Sequence, residues 1–318
     1  MPTFTGASRL DKETVLARAR ELGADLAGVT DMTPLREQET RFKKWLAAGK
    51  HAGMQWLEQR TSKRLLLESP FPTARSIIVI ALNYHTGQSS EQNSISPVYN
   101  VSRYAWGRDY HKVMKRLLRE LTRFINEQTG CQSRGFVDSG PVMEKALAQR
   151  AGLGWIGKNT LLLNRTYGSW LVLGELFTEL ELPPDQPHPD YCGECSICLA
   201  ACPTGALTDN GLDCKSCISY ATIERPETES CQLEPGGFIF GCDICQEACP
   251  WNEQTVTTDL LDFKRREVVE KLNRGELPQD AEAWEQANRG SSLRRLSYQR
   301  LVENAASVDR ERAKRSGG

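Results

Sequence analysis

The stretch that decides the fold of the C-terminal half is "CGECSICLAACPTGAL", which begins at Cys192, and "CDICQEACPWN" partly repeats it from Cys242. The first run has the spacing C-x2-C-x2-C-x3-C-P, which is typical of loops that wrap a four-iron, four-sulfur cluster. In such pairs of runs, the fourth thiolate ligates the neighbouring cluster. Structural zinc is the alternative, because its sites also use C-x2-C pairs. Two interleaved runs that both end in Cys-Pro favour two clusters.

The two runs predict how eight cysteine ligands are shared between the clusters. Those of the first cluster are Cys192, Cys195, Cys198 and, crossing over from the second run, Cys249. Those of the second are Cys242, Cys245 and, crossing over from the first run, Cys202. Ile239 stands where a complete second run would have another cysteine. The missing ligand must therefore come from Cys214, Cys217 or Cys231.

Composition agrees with a metal-binding protein of a reducing compartment. Of the 11 cysteines, all but Cys131 lie between positions 192 and 249, and a clustered odd number favours metal ligation over disulfides. The net charge of −1 neither requires nor excludes a nucleic-acid partner. The N-terminus lacks the pattern of a secretory signal, and no apolar run is long enough to span a bilayer. We therefore expect a cytoplasmic protein without membrane association.

The first 180 residues alternate helix and strand patterns, which predicts an α/β domain. "SIIVIAL" (residues 76–82) is apolar throughout, as expected for a strand covered on both faces. Residues 111–125 form the clearest amphipathic helix, with a basic face from Lys112 to Arg123. The Pro-rich, acidic residues 181–190 read as a linker. We expect domains at 1–180, 181–258 and 259–318, the last of them helical.

Three motifs in the first domain have ordinary structural explanations from the residues alone. "GLGWIGKNT" (residues 152–160) matches nucleotide-binding glycine patterns, but a helix precedes it where a strand is required. A ligand near Lys158 and Asn159 remains an alternative. His111, in "DYH", is expected to cap or flank the amphipathic helix. Asp138 ends the strand "RGFVD" and either caps the next helix or transfers a proton beside the glycine-rich turn.

Several of these segments together resemble the epoxyqueuosine reductase family. They are "VDSGPVMEKALAQRAGLGWIGKNT", "CGECSICLAACPTGAL", "CISYATIE" and "FGCDICQEACPWN", in this order and spacing. The resemblance extends from about residue 10 to about residue 300. It implies an α+β and α/β multidomain protein. Its parts would be a cobalamin-binding α/β domain similar to that of reductive dehalogenases, a ferredoxin-like two-cluster domain and a HEAT-like helical region.

The resemblance also implies an activity, cofactors and partners. The family reduces the epoxide of epoxyqueuosine at the wobble position of transfer RNA to queuosine. It uses cobalamin in the base-off form, without a histidine ligand from the protein, together with two [4Fe-4S] clusters. We expect a monomer that receives single electrons from a flavodoxin- or ferredoxin-type donor or from a chemical reductant. The alternatives are a reductive dehalogenase-like enzyme for a small organic substrate and a non-catalytic iron–sulfur electron carrier.

Individual residues acquire roles through the same resemblance. Asp138 matches the proposed proton donor, which we therefore expect to be largely buried with a raised pKa. Cys217 matches the missing cluster ligand and leaves Cys131, Cys214 and Cys231 without a role. The residues expected to contact cobalamin or to line the cofactor and substrate cavity are Arg60, Ser102, Arg103, Asp138, Lys158, Asn159, Ser219, Cys242 and Asp243.

The C-terminal end differs from that of longer family members, which continue with further helices that help grip the RNA. The resemblance therefore implies that RNA affinity depends more on the basic helix face and on Arg294, Arg295 and Arg300.

Overall fold

A computed structural model describes residues 10–59, 61–67, 70–87, 97–138, 140–229 and 233–316. In the N-terminal part the elements are α1 (Lys12–Glu21), β1 (Leu26–Asp31), α2 (Arg36–Ala47), α3 (Trp56–Gln59), α4 (Thr61–Leu65), β2 (Ser76–Asn83), β3 (Asn100–Val101), α5 (Tyr110–Thr129), β4 (Ser133–Phe136), α6 (Glu144–Arg150), β5 (Trp155–Ile156), β6 (Leu162–Leu163) and β7 (Leu171–Thr178). The remainder holds α7 (Ile197–Ala201), β8 (Leu207–Thr208), β9 (Gly211–Leu212), β10 (Phe238–Phe240), α8 (Ile244–Glu247), α9 (Glu267–Asn273), α10 (Ala281–Ala287) and α11 (Tyr298–Ser316).

A four-stranded sheet of order β1-β2-β7-β4 forms the centre of the first domain. Although the strands alternate with helices along the chain, every neighbouring pair in the sheet is antiparallel. All eight residues of β2 are buried, which confirms the prediction of a strand covered on both faces. Its neighbour β7 is almost as apolar but carries Glu175, which lies between Val79 of β2 and Phe136 of β4.

Helices cover the two faces of this sheet. On one face α1 and α5 pack, α5 through its predicted apolar face, and Leu121 and Ile125 of α5 are completely buried. Close approach of α5 depends on Gly174, because a Cβ atom there would lie 2.5 Å from the Cγ atom of Met114. On the other face α6 packs through Leu147 and its neighbours. This arrangement places the N-termini of α5 and α6 near the end of β4.

The cysteine-rich region has little regular structure and is joined to the first domain at several places, among them a pair of strands and a buried network of hydrogen bonds. Strand β10 pairs in parallel with β3, so that Phe238 lies opposite Asn100. The buried network of hydrogen bonds supplies another connection. In it, Ser169 donates to the Gln246 side chain over 2.9 Å, and Asn252 donates to Ser169 over 2.9 Å.

Helices α9, α10 and α11 form the C-terminal region, which confirms the prediction of a helical third part. Their buried side chains, among them Trp284 and Leu301, pack against Ile239 and Phe240 of β10. The mixed helix and sheet multidomain fold is confirmed, whereas the exact domain limits stay predictions. Within the described ranges, no helix combines the length and the apolar character needed to cross a membrane.

Candidate functional site

The first group of predicted cluster ligands surrounds a small cavity. Cys198 lies in the short helix α7, and Cys249 directly follows α8. Cys249 lines the same cavity as the first run, and its role as a crossover ligand stays a prediction. The residues that line this cavity of about 20 Å³ are Lys158, Asn159, Leu163, Cys192, Cys195, Cys198, Cys249, Pro250 and Trp251. The indole Nε1 of Trp155 donates a hydrogen bond to the Cys192 sulfur over 3.4 Å. Cys195 is exposed, which places the first group near the surface.

The second group comes from three segments of the chain, and all four of its cysteines are partly buried. Burial raises the pKa of Cys245 to about 12, with further contributions from Cys217, Cys198 and Cys202. Burial also raises the pKa of Cys242, to which Cys245 and Cys217 contribute. Such mutual effects on the pKa arise only between neighbouring groups, so one site contains Cys202, Cys217, Cys242 and Cys245. Their service as iron ligands stays a prediction.

Each group brings four cysteines together, which is the donor set of one [4Fe-4S] cluster. Among the residues that the structure describes, no three His, Cys, Asp or Glu side chains converge on a single-ion site. Zinc would need four sulfur atoms at about 2.3 Å from one ion. The four thiolates of each group supply one ligand for each iron of a cubane, so the donor set fits a cluster.

The three cysteines without a predicted role differ in their positions. Cys131 is partly buried just after α5, where its N–H donates to the Thr129 hydroxyl over 3.1 Å. Cys214 is 5% exposed, and its carbonyl accepts the N–H of Cys217 over 3.0 Å. Cys231 lies outside the described residues.

Asp138 lies just after β4 and is held by two residues at the start of α5. The Tyr110 hydroxyl donates to Asp138 Oδ2 over 3.0 Å, and His111 Nε2 lies 3.2 Å from the same oxygen. The other ring nitrogen of His111, Nδ1, lies 2.8 Å from Asp109 Oδ1. The rings of Tyr110 and His111 stack with centroids 4.2 Å apart. His111 is therefore part of the site, and both of its ring nitrogens are engaged by carboxylates.

The backbone of Asp138 has a left-handed conformation with φ of +45°, which is costly for a residue with a Cβ atom. Its N–H donates to the carboxylate of Glu144, the first residue of α6. This bond accounts for the loop geometry in part, because it ties the end of β4 to the start of the next helix. One expectation was that the Asp138 side chain caps the following helix. Instead, the Glu144 side chain of that helix accepts the backbone N–H of Asp138.

The prediction of a largely buried Asp138 with a raised pKa is wrong. Its side chain is 45% exposed. Burial acts to raise the pKa, but the hydrogen bonds from His111 and Tyr110 outweigh it and lower the pKa below the ordinary 3.8. For His111, burial acts to lower the pKa, whereas Asp109 and Asp138 raise it to about 9. At neutral pH the pair is an imidazolium beside a carboxylate, and the site proton resides on His111.

Two more acidic residues lie beneath this loop and were missed by the sequence analysis. Glu175 is completely buried, and neither of its carboxylate oxygens has a hydrogen-bond partner among the described residues. Burial raises its pKa well above the ordinary value, and the charges of Glu144 and Asp138 add to the effect. Burial likewise raises the pKa of Glu144. A single acid within the otherwise apolar "LVLGELFT" is the sequence signal that could have revealed Glu175.

A second cavity, of about 260 Å³, opens beside this set of residues. Its lining combines the start of α5 with the segment before α11, namely Tyr104, Asp109, Tyr110, His111, Lys112, Gly290, Ser291, Ser292, Arg294 and Arg295. The Asp109 N–H donates to the Gly290 carbonyl over 2.8 Å, which fixes the two walls relative to each other. Arg294 and Lys112 give the cavity a positive wall, while Arg295 pairs with Glu224.

The other predicted cavity residues fall into separate places. Arg60 lies outside the described residues. Ser102 donates to the buried Asp243 carboxylate, which also accepts the Arg103 N–H over 2.7 Å. Ser219 and Cys242 remain partly exposed on the cysteine-rich side. Their roles as cobalamin contacts stay predictions.

The Arg103 side chain is 7% exposed and points into the protein. Its guanidinium lies 4.9 Å from the ring centroid of Trp106 and 5.3 Å from that of Trp170, and it pairs with Glu247 over 3.2 Å. These contacts give Arg103 a structural explanation that the sequence did not suggest.

Lys158 and Asn159 line the cavity of the first cysteine group. The structure thus places them against the first predicted cluster, and their assignment to cobalamin stays a prediction.

Of the basic residues expected to contact RNA, Arg300 is wrongly assigned, because only 4% of it is exposed. On the basic face of α5, ion pairs partly neutralise the charge: Arg116 pairs with Asp262 over 2.8 Å and Arg123 with Glu120 over 2.6 Å. Lys112 and Arg294 are exposed and border the second cavity.

Comparisons with known proteins agree with this site. A family model described as "Epoxyqueuosine reductase QueG, DUF1730" matches residues 64–139, and one described as "4Fe-4S double cluster binding domain" matches residues 191–252. The epoxyqueuosine reductase of Gloeobacter violaceus is 40% identical over 305 residues, covering 92% of this chain and 94% of its own. That of Pseudomonas aeruginosa is 41% identical, covering 90% and 81% respectively.

Solved structures give the same result. A crystal structure of epoxyqueuosine reductase with an epoxyqueuosine-modified tRNA-Tyr stem loop has a TM-score of 0.85 at 27% identity, covering 95% of this chain and 81% of its own. Epoxyqueuosine reductase from Bacillus subtilis, with its catalytic aspartate loop swung out of the active site, has a TM-score of 0.83 at 26% identity, covering 95% and 82%.

The fold and the site define an oxidoreductase with a double [4Fe-4S] cluster domain beside a catalytic α/β domain. The motif order, the identity over nine-tenths of the chain and the structural match are specific within that class. The chain belongs to the epoxyqueuosine reductase family.

Proposed function

We propose that this chain reduces the epoxide of epoxyqueuosine, at the wobble position of a transfer-RNA anticodon stem-loop, to the alkene of queuosine. The observation that carries the proposal is the presence, in one chain, of a double-cluster domain and a half-exposed Asp138 braced by His111 and Tyr110. Relatives that match over most of this chain are named for the same reaction. We further propose that the enzyme acts as a cytoplasmic monomer supplied by an external one-electron donor, of flavodoxin or ferredoxin type in the cell.

Cobalamin is the cofactor that we propose between the two domains. The residues present fit such a group, because polar side chains with remaining solvent exposure are available from both domains: Asp138 and Lys145 from the first, Ser219 and Cys242 from the cysteine-rich region. The charges of both Asp138 and Cys214 act on Lys145, which supports an approach of the two domains at this place. His111 has both ring nitrogens bound to carboxylates, which fits cobalamin held without a histidine ligand.

When bound, cobalamin would supply the low-potential chemistry at the epoxide, and the two clusters would supply it with single electrons. Conversion of an epoxide to an alkene and water consumes two electrons and two protons. The two groups of cysteines would hold the clusters, and the first group, which includes the exposed Cys195, is the one we propose to face the external donor. The remaining task of this chain is to hold the RNA base and to deliver protons.

We assign proton delivery to the Asp138 and His111 pair, and their contact supports this assignment. His111 holds the proton at Nε2, 3.2 Å from Asp138 Oδ2, and the pair presents it at the exposed edge of the carboxylate. Tyr110 orients that carboxylate through its hydroxyl. As the departing oxygen gains negative charge, it becomes basic enough to take the proton through Asp138. The proposed donor is therefore the pair, with His111 as its proton store.

RNA binding is assigned to the cavity of about 260 Å³ and its rim. The bulky modified base must leave the loop stack to reach Asp138, as in other enzymes that act on single bases. Lys112 and Arg294 border the cavity and are placed to bind backbone phosphates near the base.

The test is turnover of an epoxyqueuosine-containing anticodon stem-loop by the purified protein loaded with iron, sulfide and cobalamin, with a chemical reductant. We expect mass spectrometry of the released nucleosides to show loss of one oxygen atom and conversion to queuosine. Protein without cobalamin serves as the control. Full cofactor content without any conversion would refute the proposed reaction.

A further inference from the structure

Asn159 has a buried side-chain amide with an unused donor. The residue is 3% exposed, and its Nδ2 has no hydrogen-bond partner among the described residues. Buried amide N–H groups in proteins are nearly always bonded, because a buried donor without a partner loses its hydrogen bonds to water and gains none in return. The position of Asn159 therefore indicates an acceptor that the chain itself does not supply.

The orientation of this amide is fixed by its other end. Asn159 Oδ1 accepts the N–H of Leu161 over 3.2 Å, so Nδ2 must point to the opposite side. The loop itself is closed by the Gly157 N–H, which donates to the Leu161 carbonyl over 2.8 Å. A Cβ atom at Gly157 would lie 2.9 Å from Asn159 Oδ1, so this glycine lets the loop close over the amide.

The space next to Asn159 is the cavity that Cys192, Cys195, Cys198 and Cys249 line. The cysteine sulfurs are not bonded to Nδ2 in their present positions. The remaining acceptors that belong in such a cavity are the inorganic sulfides of a cluster. Trp155 already donates to the Cys192 sulfur over 3.4 Å, so the same wall presents a second N–H to the same group.

We infer that Asn159 donates a hydrogen bond from Nδ2 to a sulfide of the first cluster and so raises the reduction potential of that cluster relative to the second. Reduction adds negative charge to the cluster, and N–H donors directed at its sulfurs stabilise that charge. Asn159 is then a positioning and tuning residue for electron entry, and not a cobalamin contact. The inference rests on the cluster ligation proposed above and is independent of the epoxide reaction.

The experiment compares the reconstituted wild type with Asn159→Leu, which removes the donor without adding charge, in redox titrations followed by electron paramagnetic resonance. We expect the first cluster of the variant to take up an electron about tenfold less favourably, a fall of about 59 mV for a one-electron couple. The second cluster in the same molecule serves as the internal reference and should keep its potential. The matched control is Asn164→Leu, because the amide of Asn164 already donates to the Leu153 carbonyl over 2.7 Å.

Unchanged potentials in an Asn159→Leu protein with full iron content would overturn the inference. If that variant does not assemble clusters, wild-type protein labelled with ¹⁵N only in asparagine side-chain amides decides the matter. A hyperfine coupling of one such nitrogen to the reduced first cluster supports the inference, and no coupling refutes it. Wild-type protein that binds no iron would instead overturn the cluster ligation, and this inference with it.

Discussion

The proton on His111 depends on Asp138, and replacing Asp138 by Asn should displace it measurably. The rise of the His111 pKa from 6.5 to about 9 corresponds to about 3 kcal/mol in favour of the imidazolium. Asp109, at 2.8 Å, supplies the larger part, since Asp138 is more distant at 3.2 Å and is 45% exposed to screening solvent. We therefore expect Asp138→Asn to lower the His111 pKa by about one unit, or about 1.4 kcal/mol.

The assay is a pH titration of the histidine ring signals by nuclear magnetic resonance, with His111→Gln to assign the signal. The chain has only four histidines, and His85 offers a contrast, because burial and Arg103 lower its pKa to about 4. A wild-type His111 that titrates near 6.5, or one that Asp138→Asn leaves unmoved, would refute the assignment of the proton to this pair.

The same shift predicts how stability depends on pH. Because the folded-state pKa of His111 lies above its unfolded value, its stabilisation is complete below pH 6.5 and is lost as the pH rises through about 9. Solvent screening at the half-exposed Asp138 limits the change in the free energy of unfolding to roughly 1–2 kcal/mol.

Three further outcomes are expected. Asp138→Asn should abolish turnover while iron and cobalamin contents stay normal, and retained activity would contradict its assignment. Cys217→Ser should lose a large part of the second cluster's iron, whereas the matched Cys131→Ser should keep full iron content; equal iron in both would remove Cys217 from the ligand set. Arg294→Gln should weaken stem-loop binding and reduce the slope of log affinity against log salt by about 1, and an unchanged slope would argue against a phosphate contact.

The sequence predicted correctly those structural features that depend on residues close together in the chain. The apolar face of α5 lies where the periodicity predicts it. The ferredoxin-type motif likewise predicted a place for Cys249 beside the first run, and Cys249 lines the same cavity as Cys192, Cys195 and Cys198.

The pKa shifts of Asp138 and His111 could not be predicted from the sequence. His111 does lie at a helix start, but its contact with Asp138 arises because α5 packs against the sheet beside β4, 27 residues along the chain. That contact reverses the predicted sign of the Asp138 pKa shift. Whether a carboxyl group gains or loses a proton depends on partners that only the tertiary structure brings together.

The buried network that links Ser169 to Gln246 and Asn252 also affects how a loss of iron would act on the rest of the protein. Its members on one side belong to the sheet domain, and those on the other flank the predicted ligands Cys245 and Cys249. Displacing these cysteines would therefore also disturb the hydrogen bonds that join the two domains. We expect exposure to air to weaken the contact between the domains along with removing iron, and anaerobic reconstitution to restore both.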